Sequence, residues 1–365
     1  MNKIKVLTFL TISLLSFLSF SYEVKEGVLR TPDDRFENLE NYPFKPNYMM
    51  IDGLRIHYLD EGPNDADPII LFHGEPTWSY LFRKMIPVLT EAGYRVVVPD
   101  MVGFGKSDKF ESKYDYSYQH HIEVMKELIK RLDLKNATHF GQDWGGLVGL
   151  RVVAEMPNRF SQVVVSNTGM VSREGISAWF MQRLVELTVW WNGPITYKEL
   201  ILAAQESLNT DSPTPSSATS MFSKWMAYSY YSEDMDIVGI IENFGQLNLS
   251  EEEKRAYEAP YPSGKYKAGA HVWPYLIPTQ LQENEKYWKE VYEEWDKPFL
   301  VAFGSEERIT IRMKDDFLNR IPNPTVITLD GVGHFVQEEM GPELAQIIIN
   351  FIEEKKVSDL IEPTH

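Results

Sequence analysis

The stretch Gly141-Gln142-Asp143-Trp144-Gly145 carries the strongest chemical signal in the chain. An apolar approach, Ala137 to Phe140, leads into it, and a small-residue helical run, Gly146 to Leu150, follows. This is the pattern of a nucleophile elbow, a strand turning sharply into a helix with the middle side chain raised above the sheet. The flanking glycines are required because neighbouring elements crowd the turn. The middle residue is Asp143, where a serine would support acyl transfer. A carboxylate there points instead to alkyl transfer, because it is a charged oxygen that needs no base to become a nucleophile.

Three further features belong to the same chemistry. His73-Gly74-Glu75 closes an apolar run at Ile69 to Phe72. Ser305-Glu306-Glu307 closes another at Pro298 to Gly304. Gly331-Val332-Gly333-His334 follows a third, Thr325 to Leu329. In an open α/β sheet ligands bind beyond the carboxyl ends of the strands, where all four features fall. Singly, each has an ordinary explanation: Asp143 as a helix N-cap, the glutamates as a solvated pair, Gly-x-Gly-His as a turn. Together they stand in the order nucleophile, acid, histidine that an α/β-hydrolase requires.

The elements that must position these residues read as alternating strands and helices. Met50 to Tyr58 alternates, with a turn at Asp52-Gly53. Arg95 to Asp100 is a further buried strand, and Gln162 to Ser166 another, ending at Asn167. Ser79 to Leu89 reads as a helix, Tyr118 to Leu132 as an amphipathic one, and Pro342 to Lys355 as the last. This pattern gives a mostly parallel sheet covered by helices on both faces. From 172 to 257 no buried strand appears, and aromatic residues recur at helical spacing, which predicts an inserted helical cap. The main domain is then in two parts, 22–171 and 258–365.

Residues 1–21 read as an export signal: Lys3 and Lys5, an apolar core from Val6 to Phe20, and a small-x-small site at Ser19-Phe20-Ser21. The core is short for a membrane span, which needs roughly 20 apolar residues. The expected destination is the periplasm or the medium of a bacterium, with no stable membrane association after cleavage. There is no cysteine, so neither a lipid-anchored cysteine nor a disulfide can form. The formal charge of −17 becomes −19 when the two lysines of residues 1–21 are removed, and such a chain repels nucleic acid. No metal is expected: none of the eight histidines lies in a His-Glu-x-x-His motif, and His120 and His121 would diverge on a helix. Oligomeric state is left open.

The strings His73-Gly74-Glu75-Pro76-Thr77-Trp78-Ser79-Tyr80-Leu81, Gly141 to Gly146 and Gly333-His334-Phe335-Val336-Gln337-Glu338 resemble the haloalkane dehalogenases. Leu29 to Asp33 and Phe104 to Asp108 do so as well. The resemblance runs from about Val28 to Phe351. It implies that Asp143 displaces halide from carbon to leave an alkyl-aspartyl ester. His334 then activates a water against that ester, and an acid orients the imidazole. It also implies an oxyanion hole from the backbone N–H groups of Glu75 and Trp144, and a halide site built from Trp144 and a cap tryptophan. Phe222-Ser223-Lys224-Trp225 matches the family's Phe-x-x-Trp, which nominates Trp225 over Trp179, Trp190 and Trp191. The family usually has Asp-Pro where Glu307-Arg308 stand, so Glu307 becomes the acid, with Glu306 the runner-up. A second branch of the family keeps its acid at the position of Asn167, which cannot ionise. The resemblance implies no cofactor beyond halide as a product ligand, and a small apolar halogenated substrate with water. The alternative is an epoxide hydrolase with the same nucleophile and base, whose leaving alkoxide needs cap tyrosines; Tyr228, Tyr230 and Tyr231 are present.

Overall fold

The computed structural model describes residues 24–208 and 215–360; the segment 1–21, expected as an export signal, lies outside the described residues. Eight strands form one sheet: β1 (Asn47–Ile51), β2 (Leu54–Glu61), β3 (Pro68–Phe72), β4 (Arg95–Pro99), β5 (Ala137–Gln142), β6 (Phe160–Ser166), β7 (Phe299–Gly304) and β8 (Thr325–Leu329). Their order across the sheet is β1-β2-β4-β3-β5-β6-β7-β8. Only β2 runs against the others; it pairs antiparallel with both β1 and β4. The β1–β2 hairpin turns at Asp52 and Gly53, both at positive φ (50° and 75°), as a two-residue turn matching strand twist requires. The central strands β3, β5 and β7 are buried along their whole length; β3 and β7 accordingly run apolar without alternation, while β5 also buries Thr138, His139 and Gln142.

The helices are α1 (Ile86–Glu91), α2 (Tyr118–Arg131), α3 (Trp144–Glu155), α4 (Gly175–Asn192), α5 (Tyr197–Leu208), α6 (Pro215–Tyr231), α7 (Ile237–Gly245), α8 (Glu251–Glu258), α9 (Ala268–Leu276), α10 (Leu281–Tyr287), α11 (Lys314–Arg320) and α12 (Val336–Leu360). Those from α4 to α10 fill the interval between β6 and β7. On α2, His121 turns inward and accepts the Trp273 indole N–H at 2.7 Å, while His120 faces out to Asp52.

Two helices depart from the sequence reading, both because of proline. The segment expected as one helix from Ser79 to Leu89 is a short 3-10 turn, Ser79–Phe82, and then α1. Pro87 cannot donate to the carbonyl of Arg83 and its ring would collide with it, so a continuous helix cannot pass. The last helix starts at Val336, earlier than expected, and breaks at Met340 (φ −142°) ahead of Pro342. Pro342 leaves the Glu338 carbonyl without its helical partner, and Lys84 Nζ takes it at 2.9 Å.

These two interrupted helices are tied together. Arg83, fully buried, holds both carboxylate oxygens of Glu338 at 2.6 Å, and Tyr257 donates its hydroxyl to Oε2 at 2.6 Å. Glu338 lies four residues beyond His334, so the cluster anchors the loop that carries the histidine. Burial works to raise the Glu338 carboxyl, but Arg83 and Lys84 outweigh it and hold it down at about 2. Its folded pKa is below the unfolded value of about 4.3, so it contributes stability above that pH and loses it as pH falls through about 2. Glu338→Gln should lower unfolding free energy by about 3 kcal/mol at neutral pH, because it removes the bidentate carboxylate from a buried guanidinium and leaves Arg83 the carboxylate of Glu253, whose Oε1 is 2.5 Å away. Denaturant titration at pH 7 and at pH 3 checks this, the deficit shrinking at the lower pH.

Candidate active site

Asp143 occupies the turn between β5 and α3 with φ 51° and ψ −126°, a conformation that non-glycine residues rarely adopt. Close packing imposes it. A Cβ on Gly145 would run into the Phe72 carbonyl oxygen at the end of β3. One on Gly74 would lie 2.5 Å from the Asp143 Cβ, so the loop after β3 presses directly against the aspartate. From that loop the Glu75 N–H donates to Asp143 Oδ1 at 2.7 Å. The N–H of Trp144, on the next residue, opens α3.

His334 lies between two carboxylates. Its Nδ1 is 2.8 Å from Glu307 Oε2, and its Nε2 is 3.5 Å from Asp143 Oδ2. Glu307 is turned inward by its own loop: the N–H groups of Ile309 and Thr310 donate to Oε1 at 2.6 and 2.5 Å. Glu306, one residue earlier, is exposed and pairs with Arg308 at 3.2 Å, away from the histidine. Burial would lower the pKa of His334, but the charge of Glu307 and then the carboxylate of Asp143 reverse the balance and raise it to about 10. Glu307 moves the other way: burial favours its neutral form, and His334 with the two loop N–H groups holds the carboxyl below its ordinary value.

Two residues that sequence reasoning did not assign also hold this histidine. Gln142, beside Asp143 in the elbow itself, places its amide nitrogen 3.0 Å from His334 Nε2 and 3.1 Å from its carbonyl oxygen. Asn167, at the end of β6, donates to the carbonyls of Gly333 and His334 at 2.7 and 3.1 Å and accepts the Gly304 N–H at 3.0 Å. It thus ties the loop after β8 to the end of β7. The available signal was its position directly after a strand.

Asp143, Trp144 and His334 face a mostly apolar cavity, completed by Leu147, Met221, Phe222, Trp225, Phe244 and Phe335 among others. The space open to the centre of a water molecule is about 50 Å³, against the ~10–15 Å³ that a single water needs. Trp144 stacks on Trp273 with ring centroids 4.8 Å apart and meets Tyr118 edge-on at 5.0 Å. Trp225 comes from α6 and meets Phe244 edge-on. Neither indole N–H of this pair donates a hydrogen bond among the described residues. Glu75 also lines the cavity; burial first, and then the charge of Asp143, push its carboxyl well above the usual range. Trp179, Trp190 and Trp191 are on the surface. None of Tyr228, Tyr230 and Tyr231 lines the cavity; the Tyr228 hydroxyl accepts the Asp236 N–H at 3.1 Å. Among the described residues no group of three His, Asp or Glu could hold a metal ion, and no helix is long and apolar enough to cross a membrane.

The strand order, the elbow after β5 and a histidine after β8 define an α/β-hydrolase, and residues 67–340 match the model of the alpha/beta hydrolase fold family. Within that class the likeness is narrower. The chain is 38% identical over 338 residues to the haloalkane dehalogenase of Psychrobacter cryohalolentis strain K5, covering 89% of this chain and 98% of that one. It is 38% identical over 336 residues to the haloalkane dehalogenase of Mycolicibacterium paratuberculosis, covering 89% and 98%. The solved structure of the tetrameric haloalkane dehalogenase DpaA from Paraglaciecola agarilytica NO2 superimposes with a TM-score of 0.68 at 32% identity, covering 87% of this chain and 96% of that one. The chain belongs to the haloalkane dehalogenases, hydrolases acting on carbon–halide bonds, and these relatives do not favour the epoxide reading.

The position of His334 between two anions makes a direct prediction. In Glu307→Gln the larger of the two raising influences is removed, so the imidazole should titrate well below 10 in nitrogen-edited NMR of the folded protein. An unchanged titration would mean that Glu307 does not set the charge of the ring.

Proposed function

We propose that this enzyme removes halide from small haloalkanes in two displacements, with the roles divided among the residues of the cavity. Asp143 Oδ2 attacks the halogen-bearing carbon from the side opposite the leaving group; the carbon–halogen bond breaks and an alkyl ester of Asp143 forms. The departing halide accepts hydrogen bonds from the indoles of Trp144 and Trp225. Indole suits that task because it donates and cannot accept, and the apolar walls keep water from competing.

The second displacement hydrolyses the ester. His334 Nε2 takes a proton from a water that adds to the Asp143 carboxyl carbon, and the N–H groups of Glu75 and Trp144 stabilise the oxyanion that results. Collapse of that intermediate releases a primary alcohol, the proton leaving His334 for the alkoxide oxygen or solvent, and Asp143 is regenerated. The timing follows from charge. In the resting site two carboxylates keep the ring protonated; alkylation cancels the charge on Asp143, the pKa of His334 falls, and the ring gives its proton to solvent alongside the departing halide, which frees Nε2 to act as the base. Glu307 holds the tautomer and balances the imidazolium. No cofactor takes part. Residues 172–257 serve as the cap over a main domain formed by 22–171 and 258–365, and residues 1–21 direct export to the periplasm or beyond.

The observation that carries this reading is the pairing of chemistries in one cavity: an aspartate at the elbow, with Nε2 of a carboxylate-backed histidine 3.5 Å away, and two tryptophans lining the same apolar walls. His334→Phe should permit the first displacement and block the second. Incubated with 1,2-dibromoethane, it should release about one bromide per site and gain the mass of a bromoethyl group on the peptide containing Asp143. The wild type should release bromide continuously and leave styrene oxide untouched. A variant that gains no adduct, or a wild type that opens the epoxide instead, overturns the assignment.

A further inference from the structure

Helix α4 is apolar on two opposite sides. One side, with Val185 and Val189, packs on α6 and the neighbouring Tyr275, and Ala178 on the same side is buried. The other presents Ile176, Trp179, Phe180, Leu184, Leu187, Trp190 and Trp191 to solvent. A helix that is hydrophobic all round is normally buried all round. Trp179, Phe180, Trp190 and Trp191 are 53%, 59%, 67% and 82% exposed. At ~200 Å² per aromatic side chain, these four rings alone offer roughly 500 Å². Ile176, Leu184 and Leu187 bring the face to the scale of the ~800 Å² that each partner contributes to a standard stable interface. The largest patch on an ordinary monomer is about 300–600 Å². None of these residues lines the reaction cavity.

We infer that a second copy of this chain covers the face, the two α4 helices lying antiparallel across a two-fold axis that passes between Leu184 and Leu187. The order of side chains along the helix is what such an axis needs. Leu184 and Leu187 are central; Phe180 lies four residues before the first and Trp191 four after the second. Antiparallel pairing therefore sets leucine against leucine, and Phe180 against Trp191 of the partner subunit, so the surface is complementary to itself. The charges on this stretch make no demand of their own, because Arg183 is paired with Glu186 within the helix.

A lipid surface fits less well. Helices that lie in a bilayer interface carry Lys and Arg on their polar side. Here the only basic residue of α4 is that paired arginine, and the chain as a whole carries a formal charge of −17. The opposite side of α4 rests on the helix that carries Phe222 and Trp225, so pairing would brace the wall of the reaction cavity from outside.

The test uses the full chain. Wild type should sediment at micromolar concentration with twice the mass of one chain, and Trp190→Glu/Trp191→Glu at the mass of one chain with bromide release retained. The native sequence has no cysteine, so Leu187→Cys can be joined only to its counterpart in another copy. A short bismaleimide should convert it to a covalent dimer and leave the exposed Lys135→Cys uncoupled. A monomeric wild type overturns the proposal, as does an oligomer that survives the double substitution and is not cross-linked through position 187. So does a monomer that floats with phosphatidylcholine vesicles, which would assign the face to lipid.

Discussion

The placement of one imidazole between two carboxylates is the interaction on which the rest of this structure depends. Asp143 and His334 line an apolar cavity and Glu307 is buried behind the ring, and charges so placed persist only when each is compensated. Glu307 is compensated from behind by the N–H groups of Ile309 and Thr310 and from the front by the ring. Asp143 is compensated by the Glu75 N–H and the far edge of the same ring. A single proton shared along this line satisfies both anions, and the site loses that balance as soon as one of them is esterified.

The scaffold keeps the line straight. The strained backbone at Asp143 is imposed by the close approach of β3 and its loop, which only glycine at 74 and 145 permits. The loop carrying His334 is held from three directions: by Asn167 from the end of β6, by Gln142 from the elbow, and by Arg83 and Lys84 through Glu338. These contacts come from elements far apart in sequence, and each supplies a donor to a buried carbonyl or carboxylate.

Much of this was legible in the sequence, and unevenly so for physical reasons. Buried strands such as β3 and β7 announce themselves because a strand covered on both faces is mostly apolar, and the elbow because its crowding admits so few residues. The break between Ser79 and Ile86 was also written in the chain, in Pro87, although apolar spacing masked it. Glu306 and Glu307 were harder to separate, since adjacent residues on a loop have no periodicity to say which turns inward; two backbone N–H groups three-dimensionally close to Glu307 decide it. Gln142, the last residue of β5, and Asn167, the first after β6, carried no signal for this role beyond those positions, because their work is done on carbonyls of a loop some 170–190 residues later. The outward face of α4 was read simply as cap aromatics, since helical spacing cannot tell which of two apolar sides meets the protein's own core.

The account stands on a covalent bond between the Asp143 carboxylate and the substrate carbon, and the origin of the product's oxygen reports on that bond most directly. In a single turnover in water labelled with oxygen-18, with enzyme in excess over 1,2-dibromoethane, the alcohol should carry unlabelled oxygen and the peptide containing Asp143 should gain one heavy oxygen atom. Label found in the alcohol of that first turnover, with the peptide unchanged, would mean that water attacks the substrate directly and that the aspartate acts only as a base.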